Sequence, residues 1–166
     1  MQIRPATKAD VPAINALVNA LIPTTTVAWT EIPELLATRE AWFAEQQHAG
    51  NPVLVAEVNG EVVGFASYDD FRDSVKWPGY RFSVEHSIHV FGQHHHAGIG
   101  RALMEALMAR ATESGLHTMV GAIDSENTGS ITFHEKLGFT EVGRLPQLGF
   151  KLGRWLDLVL MQRHLG

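Results

Sequence analysis

Val84-Glu85-His86-Ser87-Ile88-His89-Val90, a short loop, then Gly98-Ile99-Gly100-Arg101-Ala102-Leu103: this stretch decides the fold. It reads as a strand that carries a carboxylate, followed by a glycine-bearing turn that opens a helix. A helix N-terminus presents unpaired N–H groups and the positive end of the helix dipole, so it suits an anion. Gly98 and Gly100 lack a Cβ, so phosphate oxygens can approach the backbone closely. Arg101 adds charge in the first turn. A plain structural turn remains open beside the anion reading. No third glycine and no correctly spaced downstream acid complete a dinucleotide fingerprint, and no Gly-Lys-Ser/Thr completes a Walker loop.

The rest of the chain is read outward from there. Residues 1–4 form a short strand. Thr7 caps a helix with Asp10 in its first turn, and Ile14, Leu17, Val18 and Leu21 keep helical spacing up to Pro23. Pro33 suits a first helical position, Leu35, Leu36, Trp42 and Phe43 give an amphipathic stripe, and Gly50 closes that helix. Residues 53–58 and 62–68 form a hairpin around Asn59-Gly60. Residues 69–79 are polar and irregular, and residues 81–91 alternate as a strand. A helix over 98–115, a buried-type strand over 116–123 and a helix over 127–137 follow. Gly138 ends that last helix, with Phe139 packing back on its final turn. Two strands, 140–148 and 155–162, finish the chain. With no repeat or linker, the pattern predicts one α/β (α+β) domain over residues 1–166, with helices on a mixed, mainly antiparallel sheet.

At 166 residues the chain is long enough for a substantial core. A formal charge of -5 argues against nucleic acid or an anionic membrane as partner. The chain has no cysteine, which excludes disulfides, thiolate metal sites and a catalytic thiol, and fits a cytoplasmic location. Arg4, Lys8 and Asp10 interrupt any apolar run at the start, so no signal peptide is expected. No stretch approaches the ~20 apolar residues of a membrane span. Three adjacent side chains, His94-His95-His96, diverge too far to share one ion, so no metal is expected. His86 and His89 point to opposite strand faces. His86 shares its face with Val84, Ile88 and Val90, which favours a core histidine.

The order of these parts, together with further motifs, resembles the GNAT N-acetyltransferase family over nearly the whole chain. Its phosphinothricin and methionine sulfoximine acetyltransferase branch is the nearest match. The motifs behind the branch are Thr25-Thr26-x-x-Trp29, Pro52-Val53-Leu54-Val55-Ala56, Gly79-Tyr80-Arg81, Val84-Glu85-His86-Ser87 and His134-Glu135-Lys136-Leu137-Gly138-Phe139. Val142-Gly143-Arg144-Leu145-Pro146-Gln147 and Gly153-Arg154-Trp155-Leu156-Asp157 complete them.

The resemblance implies acetyl-CoA as cosubstrate. Backbone groups of Ile88, His89 and Val90 would hold the pantetheine arm. Amides of His95, His96, Ala97, Gly98, Ile99, Gly100 and Arg101 would take the pyrophosphate. The family's usual Gln or Arg is replaced here by His95, and the Gly that often follows it by His96, which implies a weaker hold on CoA. Asn127 is both a good helix cap and, by resemblance, a pantetheine ligand. Glu85 would act as general base, since an α-amino group of pKa about 8 is mostly protonated at neutral pH. A solvent-facing Glu85, or one paired with Arg81, is the structural alternative. His134 would hydrogen-bond or protonate the leaving sulfur; a helix-surface histidine is its alternative. The branch implies a small amino-acid-like amine as substrate. Arg72, Tyr80 and Arg81 would bind it on one side, with Thr26 and Trp29 as the opposite wall. The apolar segment with Trp155, Leu156, Leu158 and Leu160 suits a homodimer contact, or ordinary core. A non-catalytic acyl-CoA-binding module on the same fold is the competing functional reading, and an acetyltransferase for a peptide N-terminus or a polyamine is another.

Overall fold

The computed structural model describes residues 1–94 and 97–166. Among the described residues seven strands make one sheet in the order β1-β2-β3-β4-β5-β7-β6. They are β1 (Gln2–Pro5), β2 (Val53–Val58), β3 (Glu61–Asp70), β4 (Ser83–Val90), β5 (Thr118–Asp124), β6 (Thr140–Lys151) and β7 (Arg154–His164). Every neighbouring pair is antiparallel except β4 and β5. The α-helices described are α1 (Val11–Leu21), α2 (Leu36–Ala49), α3 (Ile99–Glu113) and α4 (Thr128–Lys136). Among the described residues no helix is long and apolar enough to cross a membrane. The mainly antiparallel α/β architecture read from the sequence is the one observed.

Strand alternation sorts the core onto the two faces of the sheet. Val53, Val55 and Phe65 face one way and pack with Val11, Ile14, Leu17 and Phe43 of α1 and α2. Leu54, Ala56, Ala66 and Tyr68 face the other way and pack with Leu103, Met104 and Leu107 of α3. β2 is therefore buried on both sides, which explains its unbroken apolar run.

Several boundaries differ from the sequence reading, each for a local reason. α2 begins at Leu36, not at Pro33. The Asn19 side chain brackets the lead-in instead: its amide donates to the Glu34 carbonyl at 2.9 Å and its oxygen accepts from the Glu34 N–H at 2.9 Å. That pairing holds residues 33–35 outside the helix. β6 continues past residue 148 to Lys151 because it absorbs a register shift between Leu145 and Gly149. The start of the first helical region is a 3₁₀ turn, Lys8–Asp10, before α1 proper.

That turn is tied to the sheet by charge. The Asp10 carboxylate accepts from the Thr7 N–H at 2.7 Å and the Thr7 hydroxyl at 2.9 Å. Arg4 donates to both Asp10 oxygens at 2.8 Å and also to Glu57 on β2. The Arg4 bonds pull the Asp10 carboxyl down from its usual value near 3.8 to about 2. A depressed folded-state value adds stability above the unfolded pKa and loses it as pH falls through the folded one. Asp10→Asn is therefore expected to cost about 2 kcal/mol at pH 7. The gap from wild type should close between about pH 4 and pH 2, as read by urea denaturation across that range.

Candidate active site

The site forms where β4 and β5 part. The two strands pair only through Ser83–Thr118, Val84–Met119 and Glu85–Val120. β4 then continues on β3 as far as Val90, opposite Gly64, while β5 continues on β7. From His86 to His89 the edge of β4 that would face β5 has no strand partner. A cleft of about 380 Å³ opens there. Its walls include Thr26, Trp29, Glu85, Ile88, Asp124 and His134, and also His89, Asn127, Leu148 and Leu158.

A histidine pair fills the fork. His86 on β4 and His134 on α4 are both buried, and their rings stack at 5.0 Å between centroids. Their Nε2 atoms are 3.1 Å apart. His134 Nδ1 lies 2.7 Å from the Ser130 carbonyl, which can only accept, so that nitrogen carries a hydrogen. Burial pulls both histidines below their ordinary pKa and keeps them neutral. Neutral His134 then has a bare Nε2, and the proton between the rings belongs to His86 Nε2. His86 Nδ1 is left bare, buried and without a partner. In this arrangement His134 turns no N–H toward the cleft.

Glu85 sits half-buried on the cleft wall at the last paired position of the fork. Burial raises its carboxyl above the ordinary value, and the Asp69 carboxylate, its cross-strand neighbour on β3, raises it further. The Gln46 side chain donates to Asp69 and holds it there. The alternative pairing of Glu85 with Arg81 is not formed: Arg81 donates to the Pro78 carbonyl at 2.9 Å and lies over the Phe82 ring.

The remaining candidates divide in two. Thr26, Trp29, Ile88, His89 and Asn127 join Glu85 and His134 in the cleft. Asn127 caps α4, its side-chain oxygen accepting from the Ser130 N–H at 3.1 Å. Arg72, Tyr80 and Arg81 are not among the lining residues. They lie on the exposed loop between β3 and β4, with the Arg72 guanidinium 5.6 Å from the centre of the Tyr80 ring. Ala97 precedes α3, and Gly98 caps it with φ +77°, a backbone state that glycine adopts without strain. Ile99 is buried under α3, Gly100 faces the Phe133 ring, and Arg101 pairs with Glu105 at 2.7 Å on the surface. His95 and His96 lie outside the described residues. Among the described residues no group of three His, Asp or Glu side chains could hold a metal.

Sequence reasoning missed three polar groups at the site. Asp124 ends β5, is buried, and accepts from the Thr26 hydroxyl. Asp69 would have followed from the β3–β4 register. His86 was assigned to the core but not to a partner 48 positions away.

The acetyltransferase (GNAT) family model matches residues 14–139. An L-methionine sulfoximine/L-methionine sulfone acetyltransferase of Pseudomonas aeruginosa is 47% identical over 98% of this chain and 94% of its own length. A phosphinothricin N-acetyltransferase of Alcaligenes faecalis is 36% identical over 94% of this chain and 78% of its own. The yncA protein of Salmonella typhimurium, solved with its cofactor acetyl-CoA, superimposes with a TM-score of 0.94 at 42% identity, covering 99% of this chain and 94% of its own.

Gly121 on β5 lets the fork close on the histidines. A Cβ there would lie 2.8 Å from His86 Nε2 and 3.5 Å from His134 Nε2. Gly121→Ala is expected to separate the pair and destabilise the protein by about 1–3 kcal/mol, measured by chemical denaturation.

Proposed function

Because this chain belongs to the acetyltransferase (GNAT) family, we propose that it is an acetyl-CoA-dependent N-acetyltransferase acting by direct transfer on the α-amino group of a small amino-acid-like substrate. Methionine sulfoximine, methionine sulfone and phosphinothricin are the acceptors its relatives' names suggest. The observation that carries the reading is the half-buried Glu85, its carboxyl pushed up, at the mouth of the β4–β5 fork.

The residues present fit the cosubstrate. The open edge of β4 at Ile88 and His89 offers backbone groups to the amides of a pantetheine arm. The N-terminus of α3, with Gly98 and Gly100, offers N–H groups to a pyrophosphate. Asn127 spends its side-chain oxygen on the α4 cap, and its amide hydrogens are available to the arm. Acetyl-CoA supplies the thioester carbonyl that the amine attacks.

Glu85 takes a proton from the acceptor amine, directly or through one water. Its raised carboxyl pKa narrows the gap to an amine of pKa about 8. Asp69 serves by keeping that value up. Thr26 and Trp29, with Leu148 and Leu158, form the acceptor-side wall. The described lining contains Glu85 and Asp124 but neither Arg nor Lys. An acceptor carboxylate or phosphinate therefore falls to Arg72 and Arg81, beside Tyr80. Each of those arginines makes an exposed ring contact worth only about 0.5–1 kcal/mol, and Arg81 adds one exposed hydrogen bond to the Pro78 carbonyl, so redirecting Arg72 costs the less. His134 lines the cleft and fixes the shared proton. Donation from it to the departing sulfur requires the His86–His134 bond to open.

The chain also pairs with a second copy in this reading. β6 is an edge strand that exposes Val142, Leu145, Leu148 and Phe150, and Trp155 is exposed beside it on β7. Leu156, in contrast, is core. Light scattering should return twice the chain mass, and a monomer at micromolar concentration would remove this part.

Thiol release from acetyl-CoA against a panel of the three acceptors, free amino acids, polyamines and short peptides tests the reaction. Glu85→Gln is expected to lower kcat roughly 10²-fold or more while acetyl-CoA still binds. Near-normal turnover at neutral pH would remove Glu85 as the base. Wild-type binding without turnover on any acceptor would favour a binding module. Activity should fall as pH drops through the raised Glu85 value. Asp69→Asn removes the neighbouring negative charge, so the acid limb of kcat/KM should move to lower pH.

A further inference from the structure

Lys151, the last residue of β6, is wholly buried. No carboxylate pairs with it among the described residues. Its ammonium donates instead to two backbone carbonyls, Thr25 at 2.7 Å and Ala28 at 2.5 Å. A buried ammonium held only by neutral acceptors is costly to keep. Burial pulls it below the ordinary lysine value, and Glu31 opposes that pull.

The two carbonyls bracket Thr26 and Val27, both of which line the cleft. No backbone N–H donates to either carbonyl among the described residues. The segment's own ties end early: the Thr25 N–H and hydroxyl reach the Leu21 carbonyl, and Val27 N–H makes only a long contact of 3.4 Å to the Thr25 hydroxyl. Trp29, which closes the same wall, packs against Gly149, two residues before Lys151. A Cβ on Gly149 would overlap the Trp29 ring. A third tie joins the Leu152 N–H to the Glu31 carboxylate at 3.2 Å. The β6–β7 hairpin thus grips residues 25–31 at three points, at a sequence distance of more than a hundred residues.

We infer that Lys151 is a positioning residue for the acceptor side of the cleft, holding residues 25–29 in the shape that presents Thr26 and Trp29, with Gly149 as the seat of the indole. The inference rests on the reading above that this wall receives the acceptor. Lys151 touches neither the cosubstrate side nor Glu85, so its effect is on acceptor affinity.

Lys151→Met keeps the length of the side chain and removes both bonds. Hydrogen exchange of residues 22–31 should become faster, while that of residues 84–90 stays as in wild type. The KM for the best acceptor should rise about tenfold, with the KM for acetyl-CoA within twofold. The chain has no cysteine, so Lys151→Cys alkylated with 2-bromoethylamine in denaturant and refolded rebuilds a lysine-like ammonium at this site alone. It should restore both the exchange rate and the acceptor KM. Gly149→Ala leaves Lys151 in place and should raise the acceptor KM in the same direction, which covers a Lys151→Met chain that does not fold. Unchanged exchange over residues 22–31 would overturn the inference, as would an equal rise in both KM values or faster exchange with an unmoved acceptor KM. If wild type acetylates none of the panel, the exchange and its rescue still decide whether Lys151 holds the wall, and the functional reading alone fails.

Discussion

The parting of β4 from β5 after Glu85 and Val120 is the constraint on which the site depends. A parallel pair that stayed zipped would bury the backbone edge of residues 86–89 in a ladder and leave no cleft. A side-chain wedge sits where the strands part: the stacked rings of His86 and His134 occupy the space over Gly121. Phe139 closes the far side with edge-on contacts to both rings. Both rings are neutral because they are buried, so the wedge needs no counter-ion. The fork also explains why the glycine turn lies where it does. α3 starts just beyond β4, so its N-terminal amides and the open strand edge belong to adjacent parts of one path along the chain.

The electrostatics of the cleft follow from the same geometry. Its described walls carry carboxylates and neutral imidazoles, a setting that favours a cationic or amine-bearing end of a ligand over an anionic one. Glu85 can afford an elevated pKa because its neighbour Asp69 is anchored by Gln46 rather than neutralised by a cation. Asp124 has different partners: the Thr26 hydroxyl donates to it and Arg154 stands 3.8 Å from it. The two cleft carboxylates thus differ in their surroundings: Glu85 is half-buried beside another carboxylate, and Asp124 holds the Thr26 hydroxyl.

Much of this was legible in the sequence where the signal is local. Asn59-Gly60, Asn127 and Gly138 mark a hairpin, a cap and a helix end within a few residues, and each sits where it was read. Strand alternation around Glu85 put the carboxylate and His86 on opposite faces, as strand geometry requires. The errors lie where one distant residue overrides a local preference. Pro33 reads as a helix start, but Asn19 holds the segment extended until Leu36. His86 is core, as read; only its partner, 48 positions away, left no local signal. The loop of Arg72, Tyr80 and Arg81 has no periodicity, so no face could be assigned to its side chains, and they fall outside the described cleft walls.

The cleft wall formed by Thr26 and Trp29 is the least local feature of all. Thr26 and Trp29 stand out in the sequence as residues, yet nothing near them fixes their shape, because residues 24–31 contain no helix or strand. The order comes from the opposite end of the chain. Lys151 supplies hydrogen bonds that the segment's own backbone lacks, Gly149 supplies the space for an aromatic ring, and Glu31 returns one bond to the hairpin. β6 is an edge strand with an exposed apolar face, so any contact that bends that edge also moves the seat of Trp29. Glu85 sits on the central strands, between the β3 ladder on one side and the histidine pair on the other. The Thr26–Trp29 wall lies instead against the sheet's margin, held by Lys151, the space at Gly149, Glu31 and Asp124.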